Sequence, residues 1–115
     1  MRLTTDIFVS ALIRRVFSAG GFAAVANRGA AEAGAIFLVT RDRFGQLRLY
    51  GPAAQTAYDS ATPEERRFSL LLDAAEESAV EARLARERRF DADIWVIELE
   101  PGSDPVEALV AVSEE

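Results

Sequence analysis

The segment AIFLVTRDRFGQLRLY, residues 35–50, constrains the fold of this chain more than any other stretch of its sequence. Residues 35–40 are rich in β-branched and aromatic side chains, which is typical of a buried strand. The connection 42–45 ends in Gly45, which can adopt a positive φ, and residues 46–50 then alternate polar and apolar side chains. The pattern predicts a β-hairpin with one buried strand and one half-exposed strand.

A helix is predicted over residues 6–19, with Thr4 or Thr5 as its N-cap and two glycines, at 20 and 21, at its end. Its polar stripe is narrow and consists mainly of Ser10, Arg14 and Ser18. An amphipathic surface helix has an apolar stripe about 100° wide, and this helix is apolar over much more of its circumference. We therefore expect either that sheet wraps it on several sides or that part of it forms a subunit interface.

The same periodicities predict the remaining elements, which are strands over 22–27, 66–72 and 94–99 and a helix over 76–89. The expected fold is α+β, with two main helices packed on a mostly antiparallel sheet of four or five strands, in the order α-β-β-β-β-α-β. Residues 1–100 are expected to form a single α+β domain. Residues 101–115 are expected to form a C-terminal tail that holds a short helix or frays. Trp95, Phe37 and Phe90 are expected in the core.

The segment 62–76 carries conflicting signals. Residues 62–65, TPEE, are typical of a helix start, with proline at the first helical position. The leucine run that follows Phe68 instead fits a buried strand, and a second capping box from Asp73 to Glu76 favours a new helix start. We predict a strand over 66–72.

The amino acids that are missing restrict the possible chemistry. The chain has no cysteine and no histidine, and all 13 of its basic residues are arginine. Thiol chemistry, thiolate or imidazole metal sites and lysine Schiff bases are therefore excluded, and we expect no cofactor and no metal. The net charge of −6 argues against nucleic-acid binding, and no apolar run is long enough to span a membrane. The Arg14–Arg15 pair faintly resembles an export signal, but the predicted helix there favours a cytoplasmic protein.

Asp91 and Asp93 are the first candidate site residues. Two carboxylates held close together can act as an acid and base pair or bind a divalent cation. Against this, residues two apart on an extended segment point to opposite sides. The structural alternative is that Asp91 begins an Asx turn and that Asp93 hydrogen-bonds the backbone at the start of the last strand.

The clustered arginines are the second candidate, because guanidinium groups suit carboxylate or phosphate ligands. The clusters comprise Arg14, Arg15, Arg66, Arg67, Arg86, Arg88 and Arg89. Three interpretations remain open: they converge on an anion, they lie on solvated faces, or Arg88 or Arg89 clamps Asp91 or Asp93. The candidate anion-binding or junction residues are Arg14, Arg15, Arg89, Asp91 and Asp93.

Several stretches together resemble a known family. They are VSALIRR, FAAVANRG, AGAIFLV, ERRF before the leucine run and, most specifically, RRFDADIWVIELE. They are similar to a small family of uncharacterised alphaproteobacterial proteins, domain of unknown function 1491, over residues 3–100. The resemblance implies a single α+β domain of a soluble bacterial protein, and it brings no activity, substrate or catalytic residue.

Two functions follow as hypotheses. The first is a non-catalytic module that binds a partner protein or its own copy as a homodimer, because the first helix is so apolar and the catalytic groups are so few. The alternative is a small-anion or metabolite-binding protein, or a carboxylate-based enzyme, that uses the arginine and aspartate residues of the helix-to-strand junction.

Overall fold

Strands from both ends of the chain meet in one mixed sheet. The structure is a computed structural model that describes residues 3–54 and 66–113. Its elements in chain order are α1 (Thr5–Ser18), β1 (Phe22–Asn27), β2 (Ile36–Arg41), β3 (Leu47–Pro52), β4 (Arg67–Ala75), α2 (Glu77–Phe90), β5 (Trp95–Glu100), α3 (Val106–Leu109) and β6 (Ala111–Val112). Across these residues the sheet has the order β1-β5-β2-β3-β4-β6.

The predicted α+β class and the predicted order of elements are confirmed. The expectation of four or five strands is corrected to six in the described residues, because the two-residue β6 adds to the edge of β4. The sheet is mixed: β1–β5, β2–β3 and β3–β4 are antiparallel, whereas β2–β5 and β4–β6 are parallel. Strands β1 and β2 run in opposite directions. Strand β5 lies between them, so it is antiparallel to β1 and parallel to β2.

Both faces of the sheet carry a hydrophobic core. On one face, α1 and α3 pack over side chains that include Trp95, Ile97 and Leu38. On the other face, α2 packs Val80 and Leu84 over a second cluster. Strands β2 and β5 alternate their side chains between the two clusters, so both strands are buried on both sides, as is typical of central strands.

The N-terminus of α1 is held by its neighbours rather than by a simple N-cap. Thr4 occupies the N-cap position, but its hydroxyl donates to Asp6 Oδ1 over 2.6 Å instead of accepting from a backbone N–H group. Asp6 Oδ1 also accepts the Ile7 N–H, and these hydrogen bonds lower the pKa of Asp6, that from Thr4 most strongly. The fully buried Thr5 donates its hydroxyl to the carbonyl oxygen of Gly34 over 3.0 Å. The first turn is therefore joined to the loop before β2.

The strand predicted over 66–72 is confirmed and is longer than expected. The capping box from Asp73 to Glu76 does not start a helix, since β4 continues to Ala75 and α2 begins at Glu77. The extension pairs Ala75 with Leu47 across an irregular register, where Ala74 adopts a φ of 50°. Pairing with β3 therefore overrides the local helix signal. The helix-start signature at 62–65 lies outside the described residues.

A close backbone approach at Gly29 fixes how β5 enters the sheet. A Cβ atom on Gly29 would collide with the backbone carbonyl oxygens of Asp93 and Ile94. The neighbouring Ala30 N–H donates to the Asp93 carbonyl oxygen over 3.0 Å. Only glycine allows the loop after β1 to lie this close to the beginning of β5.

Replacing Gly29 with alanine tests this close approach. We expect Gly29→Ala to lower the free energy of unfolding by about 2 to 3 kcal/mol, since the added methyl group has no space. Gly45→Ala is the control: Gly45 has a φ of 83° with open space around it, so only the backbone conformation is penalised, at about 1 kcal/mol. Urea denaturation of both variants measures the difference. Equal losses would contradict the steric account.

Candidate functional site

The helix-to-strand junction at residues 91–93 forms a turn. Asp91 Oδ1 accepts the backbone N–H of Asp93 over 2.9 Å, which confirms the Asx turn predicted from the sequence. Both aspartates are exposed. An exposed carboxylate that caps a turn lacks the buried surroundings that are typical of a catalytic carboxylate pair. Over the described ranges, no three acidic side chains converge closely enough to hold a metal ion.

Contacts with the loop between β1 and β2 hold this junction in place. Asn27 Nδ2 donates to the Ile94 carbonyl oxygen over 2.9 Å, and Trp95 Nε1 donates to the Ala30 carbonyl oxygen over 2.7 Å. The Arg28 guanidinium lies over the Trp95 ring, 5.0 Å from its centroid. The indole of Trp95 is buried, as predicted, and the hydrogen bond to Ala30 satisfies its single N–H donor.

The arginines nearest the junction do not clamp it. Arg88 and Arg89 are exposed, and within the part of the chain that the structure describes neither forms an ion pair with Asp91 or Asp93. The described residues therefore show no clamp, and a role for Arg89, Asp91 and Asp93 as junction residues stays a prediction. The expectation that Phe90 lies in the core is wrong, because its side chain is largely exposed at the end of α2.

Arg15 lies at the other end of β5 and contacts α3. Its guanidinium donates to the carbonyl oxygens of Leu109 and Ala108 over 2.8 and 2.7 Å. The adjacent Arg14 is exposed in a shallow hollow with Ser18, Ser103 and Asp104, and it makes no hydrogen bond or ion pair to the described residues. Since β5 separates this region from the Asp91 turn by roughly 20 Å of strand, the structure does not bring the predicted site residues together.

The Arg66 cluster occupies a third place, at the N-terminus of α1. Arg66 donates to the Leu3 carbonyl oxygen over 2.8 Å and to Thr5 Oγ1 over 3.1 Å, and its guanidinium lies 5.2 Å from the centroid of the Phe8 ring. The three arginine clusters thus lie in three different places: at the end of α1, at the start of α1 and at the end of α2. They do not converge on one anion.

The outer edge of β1 is an exposed apolar surface. Within residues 3–54 and 66–113 no strand pairs with this edge. Phe17 of α1 and Phe22 of β1 are about half exposed and make an edge-to-face contact, with ring centroids 5.8 Å apart. Val25 is 38% exposed on the same strand. The excess apolar surface of the first helix, noted in the sequence, is therefore partly solvent-facing at Phe17 and Ile7.

A cleft lies over β2, β3 and β4, and it includes Tyr50, which the sequence suggests as a pocket-lining residue together with Gln55 and Tyr58, two residues outside the described part of the chain. It has a volume of about 420 Å³ and is closed on one side by the segment from Pro101 to Glu107. Tyr50 lines it, and burial, followed by the charge of Glu107, raises the pKa of the Tyr50 phenol. The two sides of this cleft are about 50 residues apart in the chain, so local sequence patterns do not predict that they meet.

The helices and the sheet define the class of this protein as a small α+β domain with helices on both faces of a mixed sheet. The chain matches the family model described as protein of unknown function (DUF1491) over residues 3–105, and it belongs to this family. The resemblance seen in the sequence is therefore confirmed. None of the curated proteins matches the chain. In the described part of the chain no helix is both long and apolar enough to cross a membrane.

Solved structures of alphaproteobacterial relatives are similar to this chain along almost their whole length. The solution structure of protein Atu0922 from A. tumefaciens has 50% sequence identity and a TM-score of 0.86, and the match covers 100% of this chain and 98% of that one. The crystal structure of a DUF1491 family protein from Caulobacter crescentus CB15 has 35% identity and a TM-score of 0.78, with 98% and 100% of the two chains covered. An NMR structure of a DUF1491 family protein from the same organism gives the same identity and TM-score, with 99% of both chains covered.

The adjacent arginines of α1 provide a matched test of the Arg15 contact. We expect Arg15→Gln to lower the free energy of unfolding by about 1 to 2 kcal/mol, because two charge-assisted hydrogen bonds to α3 are lost. Arg14→Gln removes the same charge from a solvated position and should change stability by less than about 0.5 kcal/mol. Urea denaturation measures both. Similar effects of the two variants would show that the contact with α3 does not stabilise the fold.

Proposed function

We propose that this protein is a non-catalytic interaction module that self-associates as a homodimer through the outer edge of β1. The observation that carries the proposal is the uncharged edge of β1, which no strand of the described residues pairs, beside the exposed Phe17–Phe22 pair. Unpaired backbone N–H and C=O groups at such an edge can accept a further strand.

The two edges of the sheet differ in how they are protected. Strand β6 has two residues, and a very short edge strand is a usual protection against edge-to-edge pairing. Strand β1 has six residues, FAAVAN, with no charged side chain and no proline. Its one irregularity is the register shift between Val25 and Asn27, which leaves a regular segment over residues 22–25. This segment is the part of the edge that is suited to pairing.

Two copies of β1 can pair antiparallel about a two-fold axis. In an antiparallel pair alternate residues direct both backbone groups to the same side, so half of the regular segment faces outward. The absence of charge on β1 means that no like charges oppose one another in the pair. Each half-exposed phenylalanine offers roughly 100 Å² of apolar surface to cover. This small area predicts a weak dimer, with a dissociation constant in the micromolar range.

The catalytic alternative has less support. The candidate residues Arg14, Arg15, Arg89, Asp91 and Asp93 lie toward opposite ends of β5, and Asp91 is used to cap a turn. Because the chain has no histidine, cysteine or lysine, a catalytic site would have to use carboxylate or hydroxyl groups.

Two arginine substitutions, at positions of equal exposure, test whether the edge of β1 forms the dimer interface. Val25 on β1 and Leu70 on β4 are both 38% exposed, but β4 is paired on both sides. We expect Val25→Arg to raise the dimer dissociation constant at least about tenfold, because each copy then brings a charge of the same sign into a small apolar interface. Leu70→Arg should leave it unchanged.

Sedimentation equilibrium between about 1 and 500 µM measures these constants. A wild-type protein that stays monomeric over this range would overturn the proposal. So would equal weakening by both variants, since that would assign the effect to net charge rather than to the β1 edge.

A further inference from the structure

The hydroxyl groups of two largely buried residues line the cleft over β2, β3 and β4. Tyr50 is 4% exposed and Thr40 is 6% exposed, and neither hydroxyl has a hydrogen-bond partner within the described residues. Thr40 lies opposite Arg48 in the β2–β3 ladder, and Tyr50 follows Arg48 by two residues on the same strand. Residues two apart on a strand share a face, so the three side chains lie on one face of the sheet.

These groups line one cavity and can donate hydrogen bonds to an acceptor that enters it. A ligand that accepts several of them at once gains more than one hydrogen bond. A tyrosine phenol is protonated at neutral pH, and burial, followed by the charge of Glu107, raises the pKa of Tyr50 further. Arg48 uses Nε for Asp73 over 2.6 Å, and its two Nη atoms have no partner among the described residues. A ligand that fits here must therefore supply acceptor oxygens.

The rim and walls of the cleft restrict the class of ligand further. The carboxylates of Glu107 and Asp42 line the same cleft, so a doubly charged phosphate is disfavoured relative to a singly charged group. Leu70, Pro101 and Pro105 provide apolar wall surface. At about 420 Å³, the cleft lies within the usual size range of small-molecule pockets.

We propose that this cleft binds a small organic monocarboxylate. Its carboxylate oxygens accept hydrogen bonds from the Tyr50 hydroxyl and the Arg48 guanidinium, and the hydroxyl of Thr40 lies beside them. Its apolar part packs against Leu70 and the two prolines. The cleft is separate from the edge of β1, so this ligand site and self-association can be tested independently.

An NMR titration with propionate and benzoate tests the site, with phosphate and propionamide as probes of charge and class. We expect both carboxylates to shift the backbone amides of Thr40, Arg48 and Tyr50 with a saturable dependence, and phosphate and propionamide to shift them far less. Tyr50→Phe should weaken carboxylate binding about tenfold, the usual effect of losing one hydrogen bond to a charged group. This variant removes only an oxygen atom that has no partner among the described residues, so it should still fold.

A charge-matched pair separates specific binding from general electrostatics. Arg48→Gln should abolish measurable binding, whereas Arg43→Gln, at the hairpin tip where Arg43 lies over Phe44, should leave it unchanged. The proposal is overturned if neither carboxylate shifts these amides at 20 mM, a concentration on the order of a weak fragment's dissociation constant. It is also overturned if Tyr50→Phe binds as well as wild type, or if the two arginine variants weaken binding equally.

Discussion

The fold depends on the insertion of β5 between β1 and β2. These two strands are consecutive in the chain, yet in the sheet each pairs with β5, which follows them by more than fifty residues, and not with the other. Backbone contacts position the inserted strand: Ala30 N–H donates to the Asp93 carbonyl oxygen, and Trp95 N–H donates to the Ala35 carbonyl oxygen. Both hydrophobic clusters include β5 side chains, so the two cores form around one strand.

Three arginines of this chain connect elements at their ends. Arg15 bonds the backbone of α3, Arg66 bonds the residues around the start of α1, and Arg28 covers the Trp95 ring. A guanidinium group suits this work because it presents several donors in a fixed plane and its flat face packs on aromatic rings. In the repeated arginine pairs that suggest an anion site in the sequence, Arg15 and Arg66 have this structural use.

Local patterns predicted much of the fold because they depend on residues close in sequence. The hairpin over 35–50 and the strand bearing Trp95 follow from side-chain alternation and turn chemistry. The sequence could not predict the parallel β2–β5 pairing, the extension of β4 past Asp73 or the exposure of Phe90, since each depends on distant partners. Tyr50 was suggested as a pocket-lining residue, but the residues that face it across the cleft could not be predicted, for the same reason. The only sequence signal for the exposed edge of β1 was the excess of apolar residues in the first helix.

Native-state hydrogen exchange measured against denaturant tests the central role of β5 most directly. If β5 holds the two halves of the sheet together, the amides of Val96 and Ile97 will exchange only through global unfolding, with free energies equal to those of Leu38 and Val39 on β2. The account would be contradicted if the β5 amides exchange through a partial opening of lower free energy than global unfolding while the hairpin of β2 and β3 stays protected.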